Sequence, residues 1–334
     1  MLSIYPSNEP SNTKSLYPST FFEDLQEILH QKVIPFSSAR AAILYGLRAL
    51  EIGRNDEIII PSYISHCVTS AISRIGFLSK EPSDKTKAIM VYHQYGFPQQ
   101  LDEIQNLAEA RGWYIINNCV NTVYSTYKGR PVVDWGDLVA LSFTKLYPCN
   151  LGGGLIAHHE KVKDWVDNHY SQVNQRHQFR AYEAFESLKK ARYDLSDFEN
   201  YMDVEAVYGY LPELVAFPPQ AFEFLPQTPE QLQSDKQHRQ QIWELVRNRF
   251  PDLVPKTSEC EIVPFAIPLR CDKPGIESIP HQVKETLNVD VPILHFDFSR
   301  NILSPNFQKA LILGCHAGWS ENIINHICDL IEMV

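Results

Sequence analysis

Short apolar runs alternate with helical segments through the first half of the chain. Asn55-Asp-Glu-Ile-Ile-Ile-Pro61 reads as turn, buried strand and stop, and Lys87 to Tyr92, Trp113 to Ile116 and Leu138 to Phe143 are further short strands. Between them, residues 62–76 place Val68, Ala71, Ile72 and Ile75 on one helical face, and Leu101 to Arg111 reads as a helix ended by Gly112. Upstream, Phe22, Leu25, Ile28 and Leu29 mark a helix within Phe21 to Lys32, and Ser37 and Ser38 can cap a second one running to Leu50. Strand–helix alternation of this kind predicts a mostly parallel sheet covered on both faces. Ligands of such sheets sit at the carboxyl ends of the strands.

Three segments fall on or near that edge. The first is 37–41, a helix start whose free N–H groups can bind a phosphate. The second is the loop Asn117-Asn-Cys-Val-Asn121. The third is Lys145, just past the Leu138 to Phe143 strand, with Ser142 three positions earlier and Gly152 to Gly154 opening the next apolar run, Leu155-Ile-Ala157. A lysine at a strand end can form a Schiff base with a carbonyl. By itself the stretch also reads as a solvated lysine beside a tight turn, and 37–41 also reads as a plain capped core helix.

Residues 1–17 read as an extended arm, 18–250 as a large domain and 251–334 as a small one. From Lys161 to Asn200 the pattern is helical; 201–230, with its prolines and aromatics, reads as irregular; Gln231 to Arg249 is a polar helix. After prolines 251 and 255 come a strand (261–269), a helix (276–287), a strand (291–296) and a final amphipathic helix (320–334), a small α/β lobe. The net charge of -10, without a basic run, argues against nucleic acid or an anionic membrane as partner, and no apolar run is long enough to span a bilayer. The polar N-terminus is not a signal peptide. Seven scattered cysteines without a Cys-x-x-Cys pair suit a reducing, cytoplasmic compartment. Cys119 and Cys149 read as packing, and His158-His159-Glu160 as a solvated turn, so no metal is expected.

In this order the segments resemble one family, the DegT/DnrJ/EryC1/StrS group of pyridoxal-phosphate-dependent aminotransferases, best known for sugar nucleotides. Ser38-Ala-Arg-Ala-Ala-Ile43 is similar to its "Ser-Gly-Thr-Ala-Ala-Leu", Asn55 to Pro61 to "Gly-Asp-Glu-Val-Ile-Val-Pro", and His93-Gln-Tyr-Gly96 with Pro98 to "His-Leu-Tyr-Gly". Ile116-Asn-Asn-Cys-Val-Asn121 resembles "Ile-Glu-Asp-Cys-Ala-Gln", and Tyr127 to Arg130 resembles "Tyr-Lys-Gly-Arg". Gly136-Asp137, Ser142-Phe143, Lys145 and Gly152-Gly153 follow in the family's order. The match spans residues 36 to 157.

The resemblance implies a three-layer, mostly parallel α/β sheet of the fold-type-I transferase kind with a small C-terminal α/β domain. It implies pyridoxal 5'-phosphate as cofactor, a nucleotide-linked keto-sugar and an amino-acid donor as substrates, and a homodimer. Lys145 takes the place of the Schiff-base lysine. Ser142 and the backbone N–H groups of Ala39, Arg40 and Ala41 would hold the phosphate, Arg40 standing where the family has threonine. Asn121 would hydrogen-bond the ring oxygen, and Ser65 stands where an aromatic usually stacks on the ring, with Tyr63 or His66 as substitutes. Asn118 replaces the aspartate that pairs with the pyridine nitrogen. A neutral amide does not hold that nitrogen protonated as a carboxylate does. The resemblance therefore also leaves open a non-transaminating enzyme, or a binding or regulatory protein on the same fold.

Overall fold

The computed structural model describes residues 1–6, 20–191 and 198–334. In chain order the large domain carries α1 (Phe21–Leu29), β1 (Ile34–Phe36), α2 (Ala39–Ala49), β2 (Glu57–Ile59), α3 (His66–Ile72), β3 (Phe77–Ser79), β4 (Thr86–Tyr92), α4 (Leu101–Arg111) and β5 (Tyr114–Asn118). A small hairpin, β6 (Thr126–Tyr127) and β7 (Arg130–Pro131), precedes β8 (Leu138–Ser142), the single turn α5 (Phe143–Leu146) and β9 (Gly153–Ala157). Then come α6 (Glu160–Trp165), α7 (Ser171–Ala191), α8 (Phe198–Tyr210) and α9 (Pro229–Arg249). The C-terminal part holds β10 (Cys260–Glu261), β11 (Ala266–Arg270), α10 (Ile279–Leu287), β12 (Ile293–Asp297), β13 (Phe307–Gly314) and α11 (Glu321–Met333).

Seven strands form the main sheet in the order β1-β9-β8-β5-β4-β2-β3. The pairs from β8 through β5, β4 and β2 to β3 are parallel, while β9 runs antiparallel to both β8 and β1. Successive side chains leave a strand on opposite faces. Ile89, Val91, Ile115, Val139 and Leu141 accordingly enter one core cluster, with α1 and α4. Their neighbours Ala88, Met90, Ile116, Leu138 and Ala140 enter the other, under α2 and α3. Both faces are covered, which is why these strands read as continuous apolar runs.

The helix expected over 62–76 is confined to His66–Ile72; of the helical stretch expected to 200, α6, α7 and the start of α8 are helical, and 192–197 lie outside the described residues. The irregular stretch expected over 201–230 starts as helix. α8 continues to Tyr210 because no proline occurs before Pro212, and Val204 and Val207, three apart on one face, are buried. Of the extended arm, residues 7–17 lie outside the described residues. Residues 1–6 dock on the C-terminal part: Leu2 bridges to Val289, and Ile4 is buried in its core. In the C-terminal sheet, of order β11-β13-β12, the central strand β13 has no counterpart in the sequence reading. Ile242, Trp243 and Val246 of α9 pack into the same cluster as this sheet.

Candidate active site

The strand register lines up the ends that carry the expected chemistry. Phe36 and Ser142 both lie opposite Gly153, while Asn118 lies opposite Ala140 on one side and Tyr92 on the other. The N-terminus of α2 reaches the same row. A Cβ at Gly153 would sit 2.6 Å from the Ala39 nitrogen and 2.6 Å from the Ser38 carbonyl carbon, so glycine is what lets the helix start press onto β9. Ser38 is extended and its Oγ accepts from the Ala41 N–H at 3.2 Å. In this structure the Ala41 N–H of the expected phosphate cup is engaged by that cap. Ala39 and Arg40 remain as first-turn N–H groups at the positive end of an 11-residue helix. Ser142 is buried with its Oγ 3.1 Å from the Thr144 Oγ1. The Arg40 guanidinium lies over the Tyr208 ring, 4.9 Å from its centroid.

Lys145 sits in α5, immediately beyond β8. The turn is held by the Phe143 N–H on the Gly152 carbonyl (3.1 Å) and by the Phe143 ring, buried edge-on against Phe21 at 5.0 Å. Its other fastening is Arg239, which is 1% exposed. Arg239 donates to the Leu146 carbonyl (2.9 Å), the Pro264 carbonyl (3.3 Å) and, through Nε, both oxygens of Asp235 (3.0 Å). Burial opposes the charge, and Asp235 beside it more than offsets that. The sequence reading missed Arg239 in a helix taken as polar. The signal was there: Ile242, Trp243 and Val246, three, four and seven residues on, mark its face as buried. The Lys145 Nζ itself is 3.5 Å from the Tyr5 Oη and 4.6 Å from that ring's centroid.

Asn117 and Asn118 point to opposite faces of β5 and do different things. Asn117 is structural: its Nδ2 donates to the Val132 and Trp135 carbonyls at 2.8 and 3.0 Å. Its Oδ1 lies 2.9 Å from His93 Nε2, and His93 Nδ1 accepts from the Gln99 N–H, so Nε2 carries the proton. Burial pushes His93 down to about 4 despite the Asn117 bond. The neighbouring Gln94 and Tyr95 hold the C-terminal lobe: Gln94 bonds the His295 carbonyl and the Asp297 N–H, and the Tyr95 carbonyl takes the Phe265 N–H.

Asn118 is 1% exposed, and neither its Oδ1 nor its Nδ2 has a hydrogen-bond partner among the described residues. A buried polar group left unpaired costs about 1–3 kcal/mol, so this amide is built for a partner. Asn121 donates to the Tyr92 Oη at 2.7 Å, and burial pushes the Tyr92 hydroxyl well up. Ser65 is exposed at the start of α3, with its Oγ 3.1 Å from Cys67 Sγ. Tyr63, the expected substitute, packs its ring 5.6 Å from Phe307 of the C-terminal lobe, and His66 is exposed. Cys119 and Cys149 are buried, and burial raises the Cys119 thiol.

A seven-stranded α/β sheet with a lysine beyond a central strand, a glycine-seated helix start and a small C-terminal lobe is the architecture of the fold-type-I pyridoxal-phosphate transferases. Comparison with known proteins agrees and narrows it. Residues 25–127 match a family described as a putative PLP-dependent aminotransferase, and residues 81–182 match the DegT/DnrJ/EryC1/StrS aminotransferase family. Over those residues the chain is similar to the latter family.

GDP-perosamine synthase of Escherichia coli O157:H7 is 28% identical over 171 residues, 45% of this chain and 47% of that protein. UDP-N-acetyl-3-dehydro-alpha-D-glucosamine 3-aminotransferase of Acidithiobacillus ferrooxidans is 28% identical over 173 residues, 44% of this chain and 46% of that protein. The chain thus spans about half the length of the curated relatives it matches. The putative sugar aminotransferase Spr1654 from Streptococcus pneumoniae, in its PMP-form, shares the fold with a TM-score of 0.68 over 98% of this chain and 96% of its own, at 16% identity. The aminotransferase TlmJ from Streptoalloteichus hindustanus does so with a TM-score of 0.68 over 95% and 90%, at 15% identity.

The family's cofactor is pyridoxal phosphate, and the residues present fit it. Lys145 would supply the amine, and Ala39, Arg40 and Ser142 would supply donors for a phosphate at one end of the row. At the other end the orphaned Asn118 Nδ2–H suits a ring nitrogen that carries no proton.

Proposed function

We propose that this protein is a pyridoxal-phosphate-dependent aminotransferase that moves an amino group from an amino acid to a keto-sugar linked to a nucleotide. One observation carries the reading: Lys145 stands at the carboxyl edge of the sheet, in the turn just past the strand whose end, Ser142, faces Gly153 and the start of α2. The substrate class comes from the names of the relatives. When bound, pyridoxal phosphate supplies an electron-withdrawing ring conjugated to the substrate nitrogen.

This chain's own groups do the rest. Lys145 Nζ would hold the cofactor, and as a free amine it would be the group that moves a proton at the substrate carbon. Arg239, through the Leu146 carbonyl, and the buried Phe143 fix the backbone on either side of Lys145, so the amine swings on a rigid base. The first-turn N–H groups of Ala39 and Arg40, with Ser142, orient the phosphate. Asn118 Nδ2 would be the donor available to the ring nitrogen, and as a neutral amide it brings no charge. Residues 18–250 form the cofactor domain and 251–334 the small one, with α9 bridging the two cores. The protein works in the cytoplasm as a homodimer, for which light scattering should return twice the chain mass of 38.4 kDa.

The neutral Asn118 favours a second reading, a pyridoxal-phosphate enzyme that does not transaminate. Borohydride reduction followed by peptide mass mapping tests the common premise: the phosphopyridoxyl mass belongs on Lys145, and its appearance on another lysine, or nowhere, defeats both readings. Conversion of a bound amino donor to its keto acid in a single turnover then separates the two.

A further inference from the structure

The first six residues form a strap whose far end lands on the active-site lysine. Its near end is pinned to the C-terminal lobe at several points. The Leu2 N–H donates to the Asn288 carbonyl at 3.1 Å, and the Asp290 N–H donates to the Leu2 carbonyl at 2.7 Å. The Ser3 carbonyl accepts two donors, His316 Nε2 and Trp319 Nε1, each at 2.9 Å. His316 Nδ1 in turn accepts from the Gly318 N–H, which fixes the Nε2–H tautomer. Ile4 is 6% exposed in the lobe's core. Tyr5 follows, with its ring 5.3 Å from Phe265 and its face toward the Lys145 Nζ, at 4.6 Å from the centroid and 3.5 Å from Oη.

We propose that Tyr5 is a positioning residue for Lys145, holding its amine by ring face and hydroxyl until cofactor or substrate claims it. This rests on Lys145 being the lysine that carries the cofactor. Both contacts hold the nitrogen through its hydrogens: they face the ring, and Oη accepts from an N–H. Capture of a carbonyl needs the neutral amine with its lone pair free. The same nitrogen cannot satisfy both, so Tyr5 and the cofactor compete for it. A Lys145 amine freed by a substrate amine would rest against Tyr5 whenever it is not moving a proton at the substrate carbon. Because Tyr5 is anchored through Ser3 and Ile4 to the lobe of β11 to β13, movement of that lobe against the main sheet would alter the hold. An exposed cation–π contact corresponds to about a two- to fivefold effect on an equilibrium.

The test is the reactivity of Lys145 in protein stripped of pyridoxal phosphate, measured with acetic anhydride and peptide mass mapping. Lys32, which is 73% exposed in its side chain, serves as internal reference. Tyr5→Ala should raise the acetylation rate of Lys145 relative to Lys32 about two- to fivefold, with Tyr5→Phe, which keeps the ring, between wild type and Tyr5→Ala. The rate of pyridoxal phosphate capture should rise in the same order. Tyr5 is 42% exposed, so both variants should melt with wild type. A Lys145 rate unchanged in Tyr5→Ala, a Tyr5→Phe rate equal to that of Tyr5→Ala, or a rise shared by all lysines would overturn the proposal. The acetylation outcome is independent of whether Lys145 binds the cofactor, which the borohydride experiment reads separately.

Discussion

Replacing Asn118 with aspartate tests how the site treats the ring nitrogen. The side chain keeps nearly the same volume, and the position is 1% exposed with both amide atoms unpartnered. Without cofactor, the new carboxylate therefore meets no donor among the described residues. Burying a charge without partners costs several kcal/mol, which the group limits by taking up a proton. Its folded pKa is then raised above the unfolded value of about 3.9. The sign follows from linkage. Below pH of about 4 both states are protonated and the variant pays no charge penalty. As pH rises further, stability falls by about 1.4 kcal/mol per pH unit until the raised folded pKa is passed.

With pyridoxal phosphate bound, a protonated ring nitrogen supplies the missing partner. Affinity should then rise by about tenfold for each 1.4 kcal/mol of penalty relieved. Denaturant titrations at pH 5 and pH 8, with and without cofactor, read the first effect; single-turnover conversion of an amino donor reads the second, as a faster proton-transfer step. Asn118→Leu is the opposite control. It removes two unpaired polar atoms and should be stabilising or neutral without cofactor while weakening cofactor binding. The reasoning fails if Asn118→Asp shows the pH dependence of wild type without cofactor. It fails equally if wild type transaminates briskly and the variant is no better.

Gly153→Ala should weaken cofactor binding more than it lowers stability. The start of α2 must retreat about 0.8 Å, from 2.6 Å to the 3.4 Å of ordinary contact, with a strain of about 1–3 kcal/mol, read by cofactor titration beside a melting curve. His93, held neutral at about 4 by burial, is a group with a depressed folded pKa. The stability this neutrality carries is whole above the unfolded value of about 6.5 and declines by up to about 3 kcal/mol as pH falls to about 4. His93→Gln should be less stable at pH 7 yet show a shallower acid limb in denaturant titrations. An acid limb as steep as that of wild type would assign the loss to other groups.

The sheet and its carboxyl-edge site were legible in the chain because both depend on local chemistry. Strands buried on two faces must be apolar throughout, and helix starts need caps, so Ile58, Ile89, Ile116 and Val139 declare the sheet and Ser38 declares α2. Lys145 and Ser142 could be placed because a strand end fixes where the next few residues go. The antiparallel setting of β9 and β1 could not be read, since a short apolar run looks the same in either direction. The central C-terminal strand β13 was passed over too.

What the tertiary structure alone decided concerns pairs far apart in sequence. Tyr5 meets Lys145 across 140 residues, and Arg239 reaches Leu146 across 93. The adjacent asparagines 117 and 118 look alike in the sequence. The pleat turns one toward His93 and carbonyls that satisfy it, and leaves the other buried with no partner among the described residues. Sequence supplies the side chains and their alternation, whereas which buried polar group finds a partner depends on what the rest of the chain packs against it.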